Sequence, residues 1–338
     1  MSGAVVNSAV DRARVERPTT EAAAFHSALP GYSPTPMHEL SAVAAELGLG
    51  SMLVKDESDR LRLPAFKILG ASWAIERALR EAPDTHTLVA ASAGNHGRAV
   101  ARVAAMRGLG CRIFLPARSL SARREAIAAE GAEVVVVDGG YEDAVARADA
   151  AGSEPGSLLI ADVGDSSPAH WVIDGYATLF TEAADQAAYD LVIVPVGVGS
   201  LAAAAARHGA ERGIPVIAAE PATAACLATS LAAGRPVAVA NPGTIMAGLD
   251  CAEVSSAAWP TLHLGIDGAV TVDDAEAMAA MTELERAGLR IGESGAASLA
   301  ALRRLMTHPE CTPLREAVGA GPTTSALLVA TEGRTSEA

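Results

Sequence analysis

Lysine is nearly missing from this 338-residue chain: of its 26 basic residues only Lys55 and Lys67 are lysines, and the rest are arginines. A guanidinium stays protonated at neutral pH and cannot act as a nucleophile, so chemistry that needs a side-chain amine has two candidates. Aromatic residues are scarce as well, at 3 % against 50 % hydrophobic residues in all, so the core has to be built from Ala, Val, Leu and Ile. That proportion belongs to a globular chain and excludes a disordered one. Basic charge is in deficit, and the net charge is −14. A nucleic-acid partner is therefore not expected, because a polyanion needs a cation excess that appears here only as pairs such as Arg123-Arg124 and Arg303-Arg304.

The four cysteines, Cys111, Cys226, Cys251 and Cys311, lie far apart without C-x-x-C or His-paired spacing. Neither a disulfide framework nor a metal site is expected. The longest apolar run, residues 191–206, is interrupted by Gly197, Gly199 and Ser200 and is shorter than the about 20 residues that span a bilayer. No apolar segment follows the basic residues near the start, which predicts no signal peptide, no membrane contact and a cytoplasmic, reducing setting.

Short β-branched runs alternate with alanine-rich segments at helical spacing, the pattern of βα units on a parallel sheet. Strands are expected at 87–91, 111–115, 133–137, 158–161, 191–196, 215–219, 269–272 and 325–330. Helices are expected at 96–108, 119–130, 141–151, 169–187, 200–212, 273–288 and 295–307, and the apolar spacing of 71–79 is helical too. The fold class is α/β, with mainly parallel sheets flanked by helices.

Three motifs carry chemistry. In Val194-Pro195-Val196-Gly197-Val198-Gly199-Ser200 a strand ends in a glycine turn that opens a helix, where backbone N–H groups and the helix N-terminus suit a phosphate. The same residues fit G-x-G-x-x-A, and Glu220 falls about where a dinucleotide fold keeps its ribose-binding acid, so a nicotinamide cofactor stays open. In Pro64-Ala65-Phe66-Lys67-Ile68 a lysine sits among apolar residues at a helix start, and partial desolvation favours its neutral, nucleophilic form. In Ser92-Ala93-Gly94-Asn95-His96-Gly97 a strand runs into a helix through a loop whose amides could hold a carboxylate, and Asn95 offers a donor and an acceptor to a ring hydroxyl.

Taken together, these residues resemble the fold type II, tryptophan-synthase-β-like enzymes that use pyridoxal 5′-phosphate, over about residues 31–335. The diaminopropionate ammonia-lyase branch is the most similar, through Lys55-Asp56-Glu57-Ser58, Ala65-Phe66-Lys67, Thr244-Ile245-Met246-Ala247-Gly248-Leu249, Gly292-Glu293-Ser294-Gly295-Ala296 and Thr331-Glu332-Gly333. The resemblance implies that Lys67 holds the cofactor as a Schiff base and shuttles protons. It implies that Gly197, Val198, Gly199 and Ser200 cradle the phosphate and that Asn95 faces the ring 3-hydroxyl. Ser92, Gly94, Asn95 and His96 would take the substrate carboxylate. Thr331 would set a neutral hydroxyl against the ring nitrogen, weakening the electron sink and favouring β-elimination over transamination. Asp162 falls where the lyases keep an aspartate that removes the α-proton; a helix cap or loop role is its other reading. His170 reads as a polar residue at a helix start, and Glu293 as a helix cap or a neighbour of the cofactor.

The implied reaction is α,β-elimination of a small, 2,3-diaminopropionate-like amino acid to a 2-oxo acid and ammonia, with Asp162 or Lys67 as base. A β-ammonium leaves as neutral ammonia without elaborate acid catalysis, whereas a β-hydroxyl needs a placed proton donor. A serine/threonine dehydratase or a β-replacement enzyme would share every cofactor residue. A nicotinamide oxidoreductase or a non-catalytic amino-acid sensor are the readings from other classes. The implied architecture is a large lobe of residues 1–80 and 180–338 with a small lobe, 81–179, inserted, and a homodimer. Ala93 replaces an aspartate associated with action on the D-isomer, so turnover of one enantiomer is expected. Leu61, Arg62 and Pro64 replace the usual Phe, Gly and Asn, and 162–175 is shortened, which leaves the cofactor assignment intact and bears on the substrate.

Overall fold

The longer apolar runs of the large sheet become strands buried at every position, while the apolar run Glu133–Val137 becomes a strand with exposed positions at an edge. A computed structural model describes residues 3–161 and 163–334. In order these form β1 (Ala4–Val6), α1 (Glu21–Ser27), β2 (Met37–Glu39), α2 (Ser41–Glu46), β3 (Ser51–Asp56), α3 (Lys67–Glu81), β4 (Thr87–Ala90), α4 (Asn95–Arg107), β5 (Gly110–Pro116), α5 (Ser121–Ala128), β6 (Glu133–Val137), α6 (Tyr141–Gly152), β7 (Ser157–Leu159), α7 (Ser167–Gln186), β8 (Leu191–Pro195), α8 (Ser200–Arg212), β9 (Val216–Pro221), α9 (Cys226–Ala233), α10 (Trp259–Gly265), β10 (Gly268–Val272), α11 (Asp274–Arg286), α12 (Glu293–Thr307), α13 (Thr312–Ala317) and β11 (Ser325–Ala330). The fold is α/β, with mainly parallel sheets flanked by helices.

The chain divides into two compact units: one takes it up to Phe66 and from Tyr176 onward, the other is Lys67–Gly175. In the first, the described strands run β1-β10-β9-β8-β11-β3-β2. The pairings from β10 to β3 are parallel, and β1 and β2 close the edges antiparallel. β8, β9 and β10 are buried at every position, as strands covered on both faces must be. Ala296, Ala297 and Leu299 of α12 share a core with Met52, Val54, Ile193, Ile217 and Val270.

In the second unit the strands run β6-β5-β4-β7, all parallel. α6 covers the sheet with Ala144, Ala148 and Ala151 against Val89, Phe114 and Val137. This unit differs from the expected inserted lobe at its start: it includes α3, which packs on α4, and so opens at Lys67 rather than at residue 81.

β1, β2 and β3 lie outside the expected strands. The first two have three residues each, too few to show a period. β3 ends in Lys55 and Asp56, and a charged pair at the end of an apolar run reads as a loop until the partners of the buried lysine are known.

Candidate functional site

The two amines of the chain meet different fates. Lys55 projects from β3 with no exposure, and its Nζ donates to Thr35 O, Glu182 Oε2 and Gln186 Oε1, each at 2.8 Å. Burial pulls its pKa below the ordinary value, while Glu182 holds the ammonium in place. An ammonium has three hydrogens, and all three are engaged, so Lys55 is structural. Lys67 opens α3, partly exposed, between buried Phe66 and Ile68.

Sequence reasoning missed the support beneath this segment. Arg60, 1 % exposed, donates Nε and Nη2 to Glu57 at 2.8 and 2.6 Å, and Nη1 and Nη2 to Glu182 at 2.6 and 2.8 Å. Thr35 donates to Glu57 Oε1 at 2.7 Å, and Tyr32 Oη donates to Glu182 Oε1 at 2.5 Å. Two cations and two carboxylates thus neutralise one another inside the unit, as buried charges must. Arg60 and Leu63 close a two-residue turn, N–H to O at 2.8 and 3.0 Å, over Leu61 and Arg62 at φ 54° and 62°. Glycine or asparagine is the usual occupant of such positions.

The chain then runs against the end of β11. Phe66 N–H donates to Thr331 O at 3.3 Å and Gly333 N–H to Pro64 O at 2.9 Å, with Ala65 and Glu332 bridged between them. On the other side Gly292 N–H donates to Glu332 O at 3.0 Å, and Ile291 bridges Gly333. A Cβ on Gly295 would stand 3.1 Å from Thr331 N, so glycine lets the first turn of α12 approach the strand. Thr331 is buried. Glu293 is the first residue of α12, not a cap for a helix starting near Gly295; the cap position is Gly292.

Beyond β8 the chain turns through Gly197, Val198 and Gly199 into α8. Gly199 has φ 99° at the cap of the helix, and a Cβ there would stand 2.5 Å from Leu262 Cδ1. A Cβ on Gly197 would stand 2.8 Å from Gly248 O and 3.1 Å from Cys251 Sγ. Ser255 N–H donates to Val198 O at 2.8 Å, and Gly248 N–H to Ser294 Oγ at 3.0 Å, which hold the two sides of the turn. Backbone amides at the N-terminus of a helix, with no carboxylate in the turn, fit a phosphate.

Glu220 does not serve as a ribose ligand. It has no exposure, and its two oxygens accept the N–H groups of Leu227 and Ala228, each at 2.7 Å, in the first turn of α9. Burial lifts its carboxyl to about 7. The nicotinamide reading therefore loses its acid.

In the unit Lys67–Gly175, the loop 92–97 follows β4 and opens α4. Ser92 Oγ accepts Gly94 N–H at 3.3 Å, and a Cβ on Gly97 would stand 2.2 Å from Ser92 O, so glycine is required where the loop closes on itself. Ser92, Ala93 and Asn95 are partly exposed and Gly94 fully so. His96 is buried, with Nε2 at 2.9 Å from Ile160 O, so its ring faces inward while its backbone amide lies in the first turn of α4. Asp162 lies outside the described residues. His170 is exposed and pairs with Asp165 at 2.9 Å near the start of α7. Among the described residues, no helix is long and apolar enough to cross a membrane, and no group of three His, Cys, Asp or Glu could hold a metal ion.

A family model described as pyridoxal-phosphate dependent enzyme matches residues 28–317. The chain is 34 % identical to diaminopropionate ammonia-lyase of Salmonella typhimurium, across 94 % of this chain and 89 % of that protein. It is 31 % identical to the enzyme of that name from Escherichia coli K12, across 92 % and 87 %. With L-threonine dehydratase of Escherichia coli K12 the identity is 30 %, across 90 % of this chain and 57 % of that protein. A crystal structure of Escherichia coli diaminopropionate ammonia lyase in complex with an aminoacrylate-PLP azomethine reaction intermediate superposes with a TM-score of 0.90 at 30 % identity, covering 98 % of this chain and 94 % of that one.

Proposed function

This chain belongs to the family of pyridoxal-phosphate dependent enzymes, and we propose that it is an ammonia-lyase that carries out α,β-elimination on a small amino acid of the 2,3-diaminopropionate type. The products are a 2-oxo acid and ammonia. The observation that supports the reading is that Lys55 spends all three hydrogens on buried acceptors and is structural, which leaves Lys67, directly after the Phe66 that bonds Thr331 O, as the amine for the cofactor.

When bound, pyridoxal phosphate supplies an electron sink that stabilises negative charge at the α-carbon of an attached amino acid. Lys67 would hold it through its Nζ, and the same amine is placed to hold or move a proton near the α-carbon. The amides of Gly197, Val198, Gly199 and Ser200 bind the phosphate. Asn95 would hydrogen-bond the ring hydroxyl, and Thr331 would offer the ring nitrogen a neutral hydroxyl. Ser92, Gly94, Asn95 and the His96 amide receive the substrate carboxylate, orienting the α-hydrogen. Asp162 is the second proposed base. With a methyl at Ala93 in place of an acid, one enantiomer is turned over. We read the enzyme as a cytoplasmic homodimer.

The similarity to L-threonine dehydratase supports a second reading, loss of water from a β-hydroxy amino acid. A substrate panel separates the two: 2,3-diaminopropionate, serine, threonine and their D-forms, followed by 2-oxo acid release. Turnover of serine or threonine alone would replace the ammonia-lyase assignment, and a colourless protein with no turnover would remove both. Asp162→Asn is expected to cut turnover while the yellow colour stays; unchanged turnover would leave Lys67 as the base.

A further inference from the structure

Glu220 and Cys226 take no part in the reaction derived above, yet Cys226 touches the glycine turn and Glu220 touches Cys226. Cys226 Sγ is 3.5 Å from Gly197 O and 3.7 Å from Glu220 Oε1. A thiol has one hydrogen and here two acceptors, so the carbonyl of the turn and the carboxyl compete for it. We propose that Cys226 is a positioning residue of the phosphate turn, and that the protonation state of Glu220 decides whether its thiol holds the Gly197 carbonyl.

The physical basis is an asymmetry between acceptors. A carboxylate accepts more strongly than a neutral amide carbonyl, and a neutral carboxyl more weakly than a carboxylate. With Glu220 neutral, the thiol hydrogen goes to Gly197 O and pins the turn; with Glu220 ionised, it swings to the carboxylate and the turn loses that tether. A buried negative charge behind an anion cradle opposes the anion in the same sense. Burial places the titration of Glu220 at about 7.

Little else near Glu220 titrates. The adjoining strands β8 and β10 and helix α9 carry no charged side chain, and the thiols of Cys226 and, beyond it, Cys251 are the titratable groups on that side. α12 also packs on β9, but its Arg303 pairs with Glu283 and Glu46, and its Arg304 with Glu276 and Glu310. From α8, Arg207 pairs with Glu16 and His208 with Tyr189, Glu211 and Arg212 end the helix, and Glu293 begins α12.

The inference rests on the reading that the turn holds the cofactor phosphate, and the test separates the two. Cofactor dissociation from the holoenzyme and the phosphorus NMR shift of its bound phosphate are followed across neutral pH in the wild type, Glu220→Gln and Cys226→Ala. The phosphate's own titration and that of the Lys67 attachment are common to all three. In the wild type, affinity is expected to fall by a further twofold to fivefold, about the worth of one weak thiol hydrogen bond, as pH rises through about 7. That extra fall and the matching shift in the phosphorus signal are absent from Glu220→Gln and Cys226→Ala. Equal pH dependence in all three overturns the inference alone. A phosphorus signal unmoved by Gly199→Ala in a yellow protein overturns the reading of the turn. Should Glu220→Gln fail to fold, Cys226→Ala and Cys226→Ser decide it, since both leave the Glu220 carboxyl bonded to the amides of α9: serine is expected to restore the pH-dependent fall and alanine to lack it.

Discussion

Arg60 and Glu182 face each other through two parallel hydrogen bonds, Nη1 to Oε1 at 2.6 Å and Nη2 to Oε2 at 2.8 Å, with neither side chain more than 5 % exposed. Removing one partner strands a charge in the interior. Arg60→Met or Glu182→Met is expected to destabilise the protein by about 3–5 kcal/mol, and the double substitution by less than the sum. Chemical denaturation of the three variants checks this, and strict additivity would contradict the pairing.

The two lysines should separate stability from chemistry. Lys67→Ala is expected to abolish both turnover and yellow colour with little change in melting temperature. Lys55→Met should keep the colour while costing about 3–5 kcal/mol, because one of the two buried carboxylate charges is left unmatched. Absorbance and thermal unfolding on the same samples distinguish these outcomes.

At the glycine turn proposed to hold the phosphate, Gly199→Ala meets both a left-handed backbone and Leu262, and Gly197→Ala meets Gly248 O and Cys251. Each is expected to weaken cofactor binding at least about tenfold and to cost about 1–3 kcal/mol. Gly213→Ala, at φ 71° with nothing within 4 Å of the new methyl, shares the backbone cost without touching the turn. Its cofactor affinity should match the wild type.

Leu61 and Arg62 occupy left-handed conformations that branched or long side chains disfavour. Arg62→Gly is expected to raise stability by about 1 kcal/mol by relieving one of them. A lower melting temperature would show that the Arg62 side chain contributes more than its backbone costs.

Glu220 is neutral when buried at low pH and pays for ionisation as pH rises. Its folded value of about 7 lies above the ordinary 4.5, so its stabilising contribution is complete below about 4.5 and is lost as pH rises through about 7. Relative to Glu220→Gln, the wild type should lose on the order of 3 kcal/mol between those limits. Denaturation midpoints measured across that range check the sign.

How far the sequence spoke for the structure depended on distance along the chain. The strands Glu133–Val137 and Ser325–Ala330 and the helix Ser200–Arg212 match expectation at both ends, because their periodicity is local. The glycine turn was legible for the same reason. The role of Lys55 was not, since its partner Glu182 comes far later in the chain. Glu220 invited a wrong role because backbone N–H groups of Leu227 and Ala228, its actual partners, leave no trace in residue identity. The turn at Leu61 and Arg62 lacks the Gly or Asn that would announce it; it is closed by the backbone hydrogen bonds of Arg60 and Leu63, which residue identity does not show.

The strand exit at Glu332 bears on how the enzyme comes into being. Pro64, Ala65 and Phe66 pair with Thr331, Glu332 and Gly333, so the segment leading into Lys67 gains these partners once the last strand has been made. Synthesis of nearly the whole polypeptide has to precede a competent catalyst, and prematurely terminated products are expected to be inert toward the coenzyme.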